Sequence, residues 1–537
     1  MTDPLPTLGP AVRAQALALL VATMGPVLVW SMGLQGTERP DGNVVFHLVG
    51  TQEPLLLLLS GCALALIAVL ARDASPLEPL RYRPRDVLVM GVIAAGISWL
   101  GWRLVFDQYL LSGDEFLADW AASTLRTGSL EAPVPEHLRG VGAALTSAYG
   151  SYVPDHGALR AGYLPGWAAV RGVFGALGDP SLANPLLNLV GVLAIARTMR
   201  QVAPDRPVAA LAAAAFAAAS AQVVVGGMTA FAMPGYFALN AVWLMLWTAP
   251  GAWPFAAALL GVVATGWHNP AMHPLFVAPF LLLPLRERRW GLLAWTATVY
   301  LVVGLLWLKV YFGYRDGAAV IAGVGASPLS LPDLRRLVSQ AGYLTLLTTW
   351  QAPVVIGLAA VALKQWRSLP SVLRDAALSF AGIWLFFLFF TEPQGNGWGY
   401  RYVHGHLSVL CLLAGWGAAS LPWTRGTARA LVASCLLSVA LLLPVRGGQI
   451  RGYVAPFAAT DRYLSDQPAD TALLIDPLDV WYGVDLARNP PDVPAPPRLN
   501  MRRTGPAEVQ ALIDSGTPVR RVSPDELTQF GLTRLRR

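Results

Sequence analysis

The chain has 537 residues, 55% of them hydrophobic and only 13% charged, with a formal net charge of +7 and a mean hydropathy of +0.50. A soluble domain carries about a quarter charged residues, so the composition excludes that class and points to a polytopic integral membrane protein. The net positive charge does not indicate a nucleic-acid binder, because the basic residues are nearly all arginine and sit in short clusters between apolar runs, as the positive-inside rule produces.

Taken in order, the chain begins with Arg13 and an apolar stretch from Ala14 to about Leu34, too long for the core of a cleaved signal peptide and read as a first span. A span needs about 20 apolar residues, which places further helices near 53–71 and 86–106. Arg72, Arg81, Arg83 and Arg85 lie between these two and assign their loop to the cytoplasm. The third helix then runs outward, and the polar interval 107–181 falls on the external, periplasmic or extracellular, face of the inner (cell) membrane. Spans near 183–199, 208–225, 233–249, 253–268, 271–285, 290–311, 344–363, 376–390, 404–421 and 428–444 keep the later arginine clusters cytoplasmic and bring the total to about 13. The pair 253–285, interrupted at Trp267-His268-Asn269-Pro270, reads as two spans or as a re-entrant hairpin with the same parity. Within the polar interval, the stretch between Gly162 and Gly178 is apolar but short and carries Arg171, so it reads as an interfacial amphipathic helix. From about Val445 charge and proline rise. Strands at 471–476 and 518–522 and a helix at 506–515 describe a small external α/β domain. The expected fold is thus an all-α polytopic membrane protein divided into two N-terminal helices (1–85), a transmembrane core (86–444) and a soluble C-terminal domain (445–537). Cys62, Cys411 and Cys435 each lie in an apolar run and imply neither a disulfide framework nor a thiolate metal site.

Ionisable groups that do chemistry in such a protein must be reachable by water and substrate, and the first such place is Leu111-Ser112-Gly113-Asp114-Glu115-Phe116. Ser112 and Glu115 have the spacing of a capping box, and acidic residues suit a helix N-terminus. That role absorbs Glu115 but not Asp114, which leaves Asp114 as the stronger candidate for chemistry. The second candidate stretch runs from Thr391 to His404, where Trp398, Tyr400 and three glycines surround Arg401. It reads as an anion-binding loop, since arginine grips phosphate bidentately, or as an aromatic interfacial anchor with a snorkelling arginine. His268, Asn269 and His273 form a third cluster, whose spacing across Pro270 matches no metal site and suits polar capping. Arg315, Asp316, Asp333, Arg335 and Arg336 read as a solvated face or as a loop over an active site. No P-loop, nucleophile elbow, zincin motif or dinucleotide fingerprint occurs, and acidic residues are not spread through the helices as a proton-coupled pump requires.

An outward-running helix, a long external loop opening on Asp114-Glu115, the segment Tyr163-Leu164-Pro165-Gly166, many further spans and an external tail together resemble the GT-C superfamily of membrane glycosyltransferases. The likeness is to the branch with protein mannosyltransferases, aminoarabinose lipid A transferases and RgtA-like enzymes. It implies a polyprenyl-phosphate sugar as donor, an external lipid, glycan or protein of the cell envelope as acceptor, and a first-loop aspartate, here Asp114 with Glu115 beside it, as general base. Metal use varies in the superfamily, so a divalent Mg or Mn ion remains open. Two spans precede the helix that is normally first, and the lysine of a Lys-Pro-Pro segment found in several relatives is replaced by Tyr163-Leu164. Arg401 is the expected substitute for holding the donor phosphate, with Tyr163, Trp398, Tyr400, His268 and His273 as further substrate-binding candidates. The competing class is a flippase or transporter of lipid-linked sugars, or an assembly subunit. A transporter needs polar groups along its helices, whereas this chain concentrates them in loops.

Overall fold

The computed structural model describes residues 8–38, 42–78, 80–147, 149–322, 330–390, 394–491 and 495–536, with the backbone alone over 314–322. The protein is mostly helical. Seven helices among these residues are long and apolar enough to cross a bilayer: Gly9–Ser31, Glu53–Leu70, Pro84–Leu104, Pro180–Val202, Trp290–Gly313, Ser371–Phe389 and Arg425–Ser465. Pro207–Ala219 and Ala221–Gly227, bent by 54° where they meet, make an eighth if the pair is one span. The bend is built at Ser220, whose extended backbone ends the first helix while its hydroxyl caps Val223 N and donates to Gln351 Oε1 at 2.9 Å.

Among the described residues the helices long and apolar enough to cross number seven or eight, so the expected count of about 13 spans is not confirmed, and the difference lies in length. Met233–Trp247, Trp253–Thr265, Val355–Lys364 and Leu407–Ala419 have 15, 13, 10 and 13 residues. At about 1.5 Å per residue each by itself is shorter than a hydrocarbon core of about 30 Å, although Leu407–Ala419 continues the 3-10 helix Arg401–His406. The stretch expected as one span at 344–363 is broken around Pro353, giving Leu334–Thr349 and Val355–Lys364.

The two N-terminal helices are built into the bundle. Gly357 lets Gly9–Ala22 approach so closely that a Cβ there would lie 2.1 Å from Ala11 O, and Gln15 Oε1 accepts from Gly357 N at 2.9 Å. Deeper in the bundle Glu53 forms a two-pronged ion pair with Arg446, both side chains at most 1% exposed. Thr349 Oγ1 and Trp350 Nε1 donate to the same carboxylate at 2.6 and 3.2 Å, and the guanidinium lies 4.1 Å above the Trp350 ring. A charge pair this dry is tolerated only when further hydrogen bonds support it, as those from Thr349 and Trp350 do here, and this one fastens the extension to the last long helix.

The ends of the bundle differ in chemistry. At one, Arg429 meets Asp73 at 3.1 Å, Trp423 donates to Glu78 O at 3.0 Å, and Arg200 lies over Tyr82. The helix Pro84–Leu104 starts at this basic end, and its 21 residues rise about 31 Å before the chain enters the first polar loop.

That loop holds one feature beyond the expected all-α fold. The amphipathic helix appears as Gly166–Ala176, but a small antiparallel sheet of β1 (Glu131–Pro133), β2 (Gly150–Val153) and β3 (Ala158–Ala161), ordered β1-β3-β2, also forms. Its strands are three or four residues long, too short to show a period of two. The C-terminal unit forms a parallel sheet of β4 (Ala472–Ile475), β5 (Arg498–Asn500) and β6 (Val519–Arg521), ordered β5-β4-β6, with the expected helix at Pro506–Asp514. The expected boundary at 445 falls inside the helix Leu443–Ser465, so the unit begins only beyond it. Nor does the unit stand apart: Leu474, Leu499 and Leu512 share an apolar cluster with Val134, Leu138 and Val141 of the first polar loop.

Candidate active site

Asp114 enters the site through helix capping. Ser112 accepts from Glu115 N at 3.3 Å and Glu115 Oε2 accepts from Ser112 N at 3.2 Å, so the capping box forms and Gly113–Arg126 starts there. Glu115 faces inward, where its Oε1 accepts from Ala230 N at 3.0 Å. Its complete burial pushes the carboxyl up to about 7, opposed by those two backbone N–H groups. The segment it grips is pinned from three more sides. Trp167 Nε1 donates to Ala230 O at 2.8 Å, Trp267 Nε1 to Ala232 O at 2.9 Å, and Asn184 to Phe231 O at 2.9 Å. Phe231 thereby sits under the Arg401 guanidinium, 4.4 Å from its ring centre.

Asp114 takes the position that capping leaves free. Its Oδ2 lies 2.9 Å from Arg401 Nη2, both residues being 8% exposed, and its Oδ1 accepts from the Tyr163 hydroxyl at 2.5 Å. Arg401 is held from behind: its Nη1 donates to Asn396 O at 2.8 Å, and its backbone N donates to Gln394 Oε1 at 2.8 Å. Gly399, at φ +65°, turns the chain just before it, where a Cβ would run into Gln222 at 2.8 Å. Tyr163 is brought in by Gly166, at which a Cβ would lie 2.6 Å from Gly266 O. Leu164 N, Gly166 N and Trp167 N donate to the carbonyls of His268, Gly266 and Trp267, and the Tyr163 and His268 rings lie 3.9 Å apart. Arg171, the charge that interrupts the amphipathic segment, is buried and bonds Asp119 at 2.9 Å, locking the helices Gly113–Arg126 and Gly166–Ala176 together.

These side chains open onto a cavity of about 340 Å³. Asp114, Arg401, Tyr163 and His268 line it together with Tyr149, Tyr236, Asn240, Tyr402 and Tyr482. Four of the sequence-derived candidates stand behind its wall. Glu115 supports the Ala230 backbone, Trp398 packs edge-on against Phe106 and Tyr453 at 5.9 and 5.8 Å, and Tyr400 stacks on Tyr343 at 4.5 Å. His273 is fully buried between Asn240 Oδ1 and Tyr300 Oη, each 2.7 Å away. Asp333 caps the helix Leu334–Thr349 through Arg336 N at 2.8 Å, while Thr391, Glu392, Pro393 and the side chains of Arg315 and Asp316 lie outside the described residues. Asn43, from the connection between the two N-terminal spans, also reaches the wall, a contribution no local motif announces.

The donor set does not suit a divalent cation. Among the described residues no three His, Cys, Asp or Glu side chains group as metal ligands, Asp114 already faces a phenol and a guanidinium, and both Glu115 oxygens accept backbone N–H groups.

Comparison with known proteins identifies the fold. No protein-family model and no curated protein sequence matches the chain. Among solved structures it is similar to ArnT from Cupriavidus metallidurans bound to undecaprenyl phosphate, with 15% identity and a TM-score of 0.50 over 82% of this chain and 90% of that one. The apo form of the same enzyme gives 13% identity and a TM-score of 0.53 over 81% and 88%. An apo oligosaccharyltransferase from Archaeoglobus fulgidus aligns at 13% identity and a TM-score of 0.46 over 77% and 65%. The chain is an integral membrane protein that shares the fold of the ArnT structures.

Proposed function

We propose that the protein is a GT-C glycosyltransferase that moves one sugar from a polyprenyl-phosphate donor to a hydroxyl of a cell-envelope acceptor, with Asp114 as general base and Arg401 on the donor phosphate. The observation that carries this reading is the pairing of Asp114 with Arg401 at 2.9 Å on the wall of a tyrosine-rich cavity, in a fold shared with a structure holding undecaprenyl phosphate.

The chemistry follows from those groups. The acceptor oxygen attacks the anomeric carbon while its proton passes to the Asp114 carboxylate, and the carbon–oxygen bond to phosphate breaks with its electron pair leaving on the phosphate. Arg401, desolvated and backed by Asn396 O, offers its guanidinium to the charge that develops there. Attack opposite the leaving phosphate inverts the anomeric centre. The Tyr163 hydroxyl orients the carboxylate, and the adjoining His268 ring, tilted against it, holds the phenol in place. Basic loops gathered at the far end of the bundle support an external placement of this cavity in the inner membrane.

The test is transfer from labelled undecaprenyl-phosphate sugars by membranes containing the wild type or Arg401→Lys. A point-charge ammonium cannot bridge Asn396 O and a phosphate as the guanidinium fork does, so donor KM should rise about tenfold or more. An unchanged donor KM would remove Arg401 from the phosphate site.

A further inference from the structure

One buried carboxylate of the C-terminal unit takes no part in that scheme, yet it touches both halves of the site. Asp485 lies in the short turn Gly483–Leu486 and is 6% exposed. Its Oδ1 accepts from Gly113 N at 2.8 Å, the first residue of the helix that presents Asp114. Its Oδ2 accepts from Asn396 Nδ2 at 2.9 Å. Asn396 in turn receives Arg401 Nη1 on its backbone carbonyl and the Tyr453 hydroxyl on its Oδ1, each at 2.8 Å. Three residues on, Arg488 bonds the carbonyls of Leu110 and Leu111, the latter at 2.5 Å, and turns back onto Asp485 O. The general base and the phosphate-binding arginine are therefore each one hydrogen-bonded residue away from the same carboxylate.

Burial of a carboxylate here is costly, and anchoring the unit does not require one, because its sheet already packs against the first polar loop through apolar side chains. What only a carboxylate supplies is two acceptors facing two donors at once, Gly113 N and Asn396 Nδ2. We propose that Asp485 is a positioning residue: through Gly113 and Asn396 it sets the spacing of Asp114 and Arg401, so the C-terminal unit completes the active site. The kinetic part of this proposal rests on the glycosyltransferase reading; the structural part does not.

The experiment uses the full-length protein in lipid nanodiscs and compares wild type, Asp485→Asn and the double variant Asp485→Asn with Asn396→Asp. In the single variant the new amide must aim a donor at Gly113 N or at Asn396 Nδ2. In the double variant that amide donates to the carboxylate now at position 396, which still accepts from Tyr453, and the total charge is unchanged. Hydrogen–deuterium exchange is read on the segments 110–117 and 394–402, and the transfer kinetics are measured with undecaprenyl-phosphate sugars. Asp485→Asn should speed exchange in both segments about tenfold, since one of the two contacts becomes donor against donor and the other loses its charged acceptor, while β4 and β5 keep their protection. Its kcat should fall about tenfold with donor KM within about twofold, and the double variant should recover both readouts. Unchanged exchange in either segment, a loss expressed only in KM, or a double variant no closer to wild type than the single one would each overturn the proposal. If the wild type transfers no sugar from any donor, the glycosyltransferase reading fails, and the exchange and rescue data alone decide the role of Asp485.

Discussion

Replacing Asp114 by asparagine separates the chemistry of the site from its architecture. The asparagine Oδ1 can still accept from Arg401 Nη2, and the Tyr163 hydroxyl, now an acceptor, can take a hydrogen bond from the new amide, so both contacts at 2.9 and 2.5 Å survive in altered form. The guanidinium, 8% exposed, loses its counter-charge but keeps Asn396 O and the Phe231 face. Removing one partner of a buried pair costs about 3–5 kcal/mol when nothing replaces it. With the hydrogen bond retained, the loss for asparagine should be about 1–3 kcal/mol, and alanine should show the full penalty. Catalysis has no such substitute, because an amide cannot take the acceptor proton. Transfer should drop by about 10²- to 10⁴-fold. The assay is thermal unfolding in detergent beside transfer from labelled polyprenyl-phosphate sugars at equal protein abundance. A variant that melts near the wild type and transfers within tenfold of it would refute Asp114 as base; one that fails to fold would refute the exchange of hydrogen bonds described here.

Tyr163→Phe deletes the 2.5 Å bond to Asp114 but leaves the ring on His268, so kcat should fall about tenfold with stability changed by about 1 kcal/mol, read by kinetics and melting. Glu115 should make the protein less stable as pH rises. Its native carboxyl is held at about 7 against an ordinary 4.5, so the folded state binds the extra proton between these values; the benefit is complete below about 4.5 and gone above about 7. The span amounts to about 3 kcal/mol at most. Melting temperatures between pH 4.5 and 8 should fall in the wild type and fall less in Glu115→Gln, with Asp485, raised to about 6, supplying a slope of the same sign. Glu53→Ala strands the Arg446 guanidinium in a dry interior and should cost about 3–5 kcal/mol, seen as a large drop in melting temperature. A melting curve like that of the wild type would mean that the pair does not fasten the N-terminal helices.

What the sequence determined alone was local. Apolar length announced the membrane class, the spacing of Ser112 and Glu115 announced a cap and so freed Asp114, and the runs at 471–476 and 506–515 emerged as β4 and the helix Pro506–Asp514. Each signal lies within a turn or two of chain, where hydrogen-bonding geometry and hydrophobic period act directly. The tertiary structure decided the rest. Length and apolarity could not separate long helices from broken stretches such as Val355–Lys364, whose 10 residues rise only about 15 Å. Strands as short as β1, β2 and β3 carry no period and exist because they pair with one another. Trp398 and Tyr400 shortly precede Arg401 in the chain yet stand behind the cavity wall, because the turn at Gly399 sends nearby side chains in different directions. Asp485 was unremarkable beside Val484 and Leu486, and Asn43 beside Val44. Asp485 meets Gly113 and Asn396, 372 and 89 residues away, and Asn43 reaches a cavity wall shared with Asp114 and Tyr482; a contact made only when distant segments pack leaves no periodic trace in either one.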